Sequence, residues 1–303
     1  MKLSSIILPI AILSGLLLHS VCNTLYVAVP YLIFTMLLLN YCALDVRKMH
    51  LSRMHLWLLL TQGGLCLVSY AVMWLCKADI VLAHGLLVCI LTPVAGSVVV
   101  VACVLGANRE TVTTFTILDN LAVAVAAPVL FSVIGRQTEM AFFTSFGHVF
   151  ARVCPQIVLP FVTALVLQHR LPRVNAAISR YSSMSLYVWA VILTIVLGRT
   201  FHSLFTATET KWWLLAWMCV LSIVLCVVQF GLGKAIGNRY KQAMAGGQML
   251  GQKNTSFGIW MAVEYLDPYA AVFPAFYSIA QNVFNSWQMW QHERKKQLTQ
   301  SLK

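Results

Sequence analysis

Gly246-Gly247-Gln248-Met249-Leu250-Gly251-Gln252-Lys253-Asn254-Thr255-Ser256-Phe257-Gly258 lies where an apolar membrane span should run, between the basic loop near Lys241 and the acidic turn at 264–267. It carries four glycines, two glutamines, an asparagine and a lysine. A lipid-facing helix does not tolerate such residues, because an unsatisfied polar group in hydrocarbon costs several kcal/mol. A lysine at the bilayer centre adds about 2.5–3.5 kcal/mol on insertion scales. The reading that follows is an interrupted helix lining an enclosed or water-filled site. The competing reading is a glycine-rich helix packed on its neighbours, with Lys253 extending to the interface.

The surrounding chain sets the class. Of 303 residues, 60% are hydrophobic and 10% charged, with mean hydropathy +0.80, which is the composition of a polytopic membrane protein. No polar stretch is long enough to fold as a second domain. The net charge of +12 is not a nucleic-acid signal, since the Lys and Arg sit in short turns beside apolar runs, where they set orientation. The nine cysteines lie mostly within those runs and form no CxxC pair, so neither a zinc site nor a disulfide framework is indicated. The N-terminal apolar run is read as a first span, because the residues before Val21, including His19, make a poor cleavage site.

Apolar runs predict ten spans, at 4–20, 25–45, 55–75, 80–105, 111–134, 143–167, 183–203, 212–235, 244–264 and 268–291. Charge supports the count. With a cytoplasmic N-terminus, 15 of the 21 Lys and Arg fall on the inside and 4 on the outside (Lys77, Arg136, Arg199, Lys211), leaving Arg152 and Lys253 within spans. That asymmetry obeys the positive-inside rule and places both termini in the cytoplasm. Ten spans divide into two inverted five-span repeats, 1–140 and 141–303. The fourth span of each half is interrupted: Thr92-Pro93-Val94-Ala95-Gly96-Ser97 in one and the glycine-rich stretch in the other. Interruptions at corresponding positions point to a transporter binding site.

The polar residues gathered by this scheme are candidates for substrate or ion binding: Gly251, Gln252, Lys253, Asn254 and Thr255 from span nine, Pro93 and Ser97 from span four, and Thr116, Asp119 and Asn120 from span five. Thr116, Asp119 and Asn120 are three and four residues apart and share a helix face. Freed carbonyls suit cations, whereas half-helix N-termini and a lysine suit anions. Interhelical hydrogen bonding explains the threonines as well, but not the aspartate. Asp119 is the only acidic residue well inside a predicted span, so it is the expected counter-ion of Lys253, with Arg152 as a rival partner. No HExxH, GxSxG or Walker pattern is present, and no enzymatic activity is expected.

Gly251-Gln252-Lys253-Asn254-Thr255, Tyr265-Leu266-Asp267-Pro268 and the tenth span's Asn282-Val283-Phe284-Asn285-Ser286-Trp287 resemble the bile acid:sodium symporter family, most closely its bacterial organic-anion branch. The resemblance covers essentially the whole chain. It implies an all-α protein in which a panel of spans one, two, six and seven sits beside a core whose broken helices four and nine cross. Sodium would bind in the core and a small organic anion between the two domains. The sodium ligands transfer poorly. The family's acidic residue ahead of Gly-X-Gln-Asn falls on Met249, its glutamine on Lys253, its Ser-Asn pair on Val98 and Val99, and one of its two span-five hydroxyls on Val112; only Thr116 is kept. A one-residue shift recovers Gln252 and Ser97 but not the acid. The expectation is therefore a secondary transporter of a small organic anion in the cytoplasmic (inner) membrane, a monomer or homodimer among lipids, with no cofactor and a depleted sodium site, its transport coupled to sodium or to a proton or running uncoupled. A membrane sensor or scaffold that keeps the fold without transporting is the alternative.

Overall fold

The computed structural model describes residues 2–44, 48–134, 141–206 and 211–301. Of the charges counted above, Arg47, Arg136 and Lys303 lie outside the described residues. The described chain is helical without strands: α1 (Lys2–Leu17), α2 (His19–Leu25), α3 (Val29–Cys42), α4 (Arg53–Leu75), α5 (Ile80–Leu91), α6 (Val98–Val104), α7 (Arg109–Ile134), α8 (Phe142–Arg170), α9 (Pro172–Arg180), α10 (Ser185–Thr206), α11 (Trp212–Asn238), α12 (Ala243–Gly251), α13 (Thr255–Tyr265) and α14 (Val272–Ser301). Six helical stretches are long and apolar enough to cross a membrane: His19–Cys42, Arg53–Leu75, Arg109–Ile134, Phe142–Arg170, Ser182–Thr206 and Trp212–Asn238. The protein is an all-α membrane protein. Their outward faces carry large apolar residues such as Trp57, Val125, Phe143, Trp217 and Val227, as lipid contact requires. α7 continues through Pro128, and α8 through Pro155 and Pro160.

Two expected spans are each split in two. α5 stops at Leu91 because Pro93 disfavours the helical region for the residue before it, and Thr92 turns to an extended conformation (φ −49°, ψ 129°). The chain resumes as α6 only at Val98. In the second case α12 ends at Gly251 and α13 begins at Thr255, with the Asn254 side chain accepting from the Phe257 N–H at 3.4 Å as its N-cap. The interruption is thus Gln252-Lys253-Asn254, shorter than the polar composition implied.

The glycines ahead of it serve another purpose. A Cβ on Gly246 would stand 2.2 Å from the Gly233 carbonyl oxygen and one on Gly233 2.3 Å from that of Gly246. α12 and α11 therefore meet backbone to backbone, as small residues permit in membranes. The packed-helix reading holds for α12, and the broken-helix reading holds for the three residues after it. Lys253 does not reach the interface, being 1% exposed.

Packing divides the helices into two groups. α1, α2, α3, α8, α9 and α10 pack on one another; α4 to α7 pack with α11 to α14. α7 against α8, and α10 against α13, join the groups.

Candidate functional site

Hydrocarbon supplies no hydrogen bonds, so the two breaks must satisfy their own backbone. They do so against each other. The Ala95 N–H donates to the Gln252 carbonyl at 3.0 Å and the Asn254 N–H to the Pro93 carbonyl at 2.8 Å. Val94 and Lys253 thereby face each other as an antiparallel bridge. Gly258 lets the two segments close, since a Cβ there would stand 2.3 Å from the Thr92 hydroxyl.

The N–H groups of the two bridging residues point away from the bridge, and each finds a side chain on the next long helix. Val94 donates to Asp119 Oδ2 on α7 at 2.6 Å. Lys253 donates to Gln281 Oε1 on α14 at 2.9 Å, and Gln281 Nε2 returns a bond to the Lys253 carbonyl at 3.1 Å. Asp119 stands to the first break as Gln281 stands to the second. Freed carbonyls are covered as well. Gln62 on α4 donates to the Leu91 carbonyl at 3.4 Å. The Tyr277 hydroxyl lies 2.6 Å from both the Gly251 carbonyl and the Gln229 amide. One phenolic proton serves one of these two acceptors, the Gly251 carbonyl and Gln229 Oε1, at a time.

The candidates from the sequence divide accordingly. Gln252, Lys253, Asn254 and Pro93 form the crossing itself, and Gly251 contributes a carbonyl. Ser97, exposed on the rim, accepts from Gln252 Nε2 at 3.1 Å. Thr255 Oγ1 is buried without a hydrogen bond. Two residues turn to their own helix instead: the Thr116 hydroxyl donates to the Val112 carbonyl at 2.8 Å and Asn120 Nδ2 to the Thr116 carbonyl at 2.7 Å.

The charged pair makes no ion pair. Lys253 Nζ and Asp119 Oδ1 are both buried with no hydrogen-bond partner, and Val94 links the two residues, facing Lys253 in the bridge and donating to Asp119 Oδ2. The rival partner is taken, because Arg152 pairs with Glu264.

Four contributors lay outside the sequence reading: Gln281, Tyr277, Gln62 and Asn40. Asn40 on α3 fills the place of a Cβ on Gly96, its Nδ2 only 2.2 Å from that position. It brings the first helix group against the rim, beside Ser97. A signal for α14 was available, because Tyr277, Gln281, Asn285 and Gln288 recur at spacings of four, four and three and mark one polar stripe. Gln248 Nε2 extends that stripe, donating to Asn285 Oδ1 at 2.9 Å and Gln288 Oε1 at 2.8 Å.

No protein-family model matches the chain, and a search of curated proteins finds no match.

Proposed function

We propose that this protein is a secondary transporter of a small organic anion, of the bile acid:sodium symporter type, working by alternating access in the cytoplasmic membrane. Ten spans, two inverted five-span repeats over 1–140 and 141–303, and cytoplasmic termini complete the reading. One observation carries it: the two interrupted segments meet as a buried antiparallel bridge, Val94 against Lys253, at corresponding places in the two halves. The matching roles of Asp119 and Gln281, each on the helix after its break, support the repeat in the absence of sequence identity between halves. Irregular backbone at membrane depth persists where it is enclosed by protein or lines a cavity, and the interface of inverted repeats is where transporters place their sites.

In this reading α4–α7 with α11–α14 form the core, and α1, α3, α8 and α10 the panel. The anion binds at their boundary beside Asn40, Ser97 and Gln252, whose amide and hydroxyl groups hydrogen-bond a carboxylate without adding charge. The positive end of α13 adds to the attraction.

The positions that the resemblance assigns to sodium ligands are depleted. A hard cation needs several oxygen ligands; Met249, Val98, Val99 and Val112 offer no side-chain oxygen and are buried, and Thr116 is the one hydroxyl kept.

The test is a thermal-shift screen of the purified protein against mono- and dicarboxylates, followed by competition with unlabelled ligand. Saturable stabilisation by at least one anion is expected, weakened by Ser97→Val. Failure of every anion to stabilise the protein would favour a sensor or scaffold that retains the fold.

A further inference from the structure

Among the described residues, Asp119 and Lys253 are the only Asp, Glu, Lys or Arg side chains that are fully buried, at 0% and 1% exposure. An unpaired charge at this depth is costly, so each must answer another. Lys253 is fixed at its backbone by Gln281 on both sides of the residue. Across the bridge Lys253 faces Val94, whose N–H donates to Asp119 Oδ2. Asp119 keeps Oδ1 unbonded, and Lys253 Nζ is likewise buried with no hydrogen-bond partner, so both charges are left unpaired at the bridge.

We infer that the Lys253 ammonium is a built-in cation of the crossing, with Asp119 as its counter-charge. Two observations converge. Lys253 holds a tethered positive charge at the crossing, buried and without a hydrogen-bond partner, which repels a second cation from the same place. Asp119 is reached through one residue: Val94 faces Lys253 in the bridge and donates to Asp119 Oδ2, and Oδ1 is left without a hydrogen-bond partner. A lysine kept at the interface, or two charges hydrated separately, would leave neither atom buried and unbonded. The inference gives the proposed transport site its resident charge, and it rests on that reading only for the meaning of the site.

The test reads ion dependence and stability, not transport, so a chain that moves no anion is still decided by it. Detergent-purified full-length protein is melted in sodium chloride and in choline chloride, and assayed for binding of radioactive sodium. The wild type is expected to melt at the same temperature in both salts and to show no saturable sodium binding. Lys253→Met is expected to melt lower and to regain part of the loss with added sodium or methylammonium, which enters the vacated space beside Asp119. Lys253→Met with Asp119→Leu is expected to recover stability over the single variants and to lose the response to cations, since breaking one partner of a buried pair costs more than removing both. If Lys253→Met does not fold, the double variant and the wild-type sodium measurement decide the matter. Saturable sodium binding by the wild type, or single-variant losses that simply add in the double variant, would overturn the inference.

Discussion

Gln281→Leu removes a side chain that closes two hydrogen bonds to one peptide unit. Leucine has nearly the same bulk and no polar atoms, so packing changes little while the Lys253 N–H and carbonyl lose their partners at 2.9 and 3.1 Å. Gln281 is 5% exposed and Lys253 1%, so water does not replace it without opening the core. An unsatisfied buried group costs about 1–3 kcal/mol, whereas side-chain hydrogen bonds between membrane helices average about 0.6 kcal/mol, because the unfolded chain finds other partners in the membrane. A residue within a helix break has no helical carbonyl to return to, so the higher scale applies, and the expected loss for the two groups is roughly 2–6 kcal/mol. The control is Gln288→Leu, which breaks only a bond between side chains and should cost roughly 0.6–1.7 kcal/mol. Reversible unfolding in mixed micelles with increasing SDS gives the two values. A Gln281→Leu loss no larger than that of Gln288→Leu would refute the claim that α14 holds the break in place.

Two further outcomes follow from the arrangement of the helix groups. Arg152 on α8 and Glu264 on α13 join the two groups through a pair whose side chains are 66% and 26% exposed. Glu264→Gln should therefore cost under about 1 kcal/mol and less in high salt. Bridging an Arg152→Cys/Glu264→Cys pair with a bifunctional methanethiosulfonate, in a chain cleared of its other cysteines, should halt solute movement reversibly; unimpeded movement in the bridged protein would show that the groups do not part on this face. A periplasm-only reporter fused after Lys303 should be inactive and one inserted between Thr206 and Lys211 active, whereas an active C-terminal fusion would remove the inverted-repeat argument.

Much of the crossing was legible from local chemistry. Pro93 disfavours a helical Thr92 through its own ring, and Gln252-Lys253-Asn254 cannot face lipid, so both breaks announce themselves within a few residues. The four glycines misled in part, because glycine weakens a helix and also lets helices touch, and only the position of α11 shows that Gly246 does the second. Asp119 was visible as a lone acid in an apolar span, but its bond to the Val94 N–H was not, since that contact depends on how α7 lies against the break. Gln281, Tyr277 and Gln62 bind backbone exposed by a break far away in sequence. A single glutamine in an apolar helix carries no sign of which carbonyl it will meet. The span-five face looked like one site, yet Thr116 and Asn120 bond backward along α7, a local alternative always open to Thr and Asn.

The central claim is that this protein moves an organic anion through a site formed where the two breaks cross. Counterflow in proteoliposomes loaded with unlabelled anion tests it directly, with bile acid and short carboxylates as labelled probes, the anions that stabilise the protein being added to the set. The wild type should accumulate at least one label transiently, equally in sodium and in choline. Gly258→Val, whose side chain occupies the place of the Thr92 hydroxyl, should abolish accumulation while the protein remains in the membrane. Absence of accumulation for an anion that demonstrably binds, or accumulation undiminished in Gly258→Val, would contradict the account.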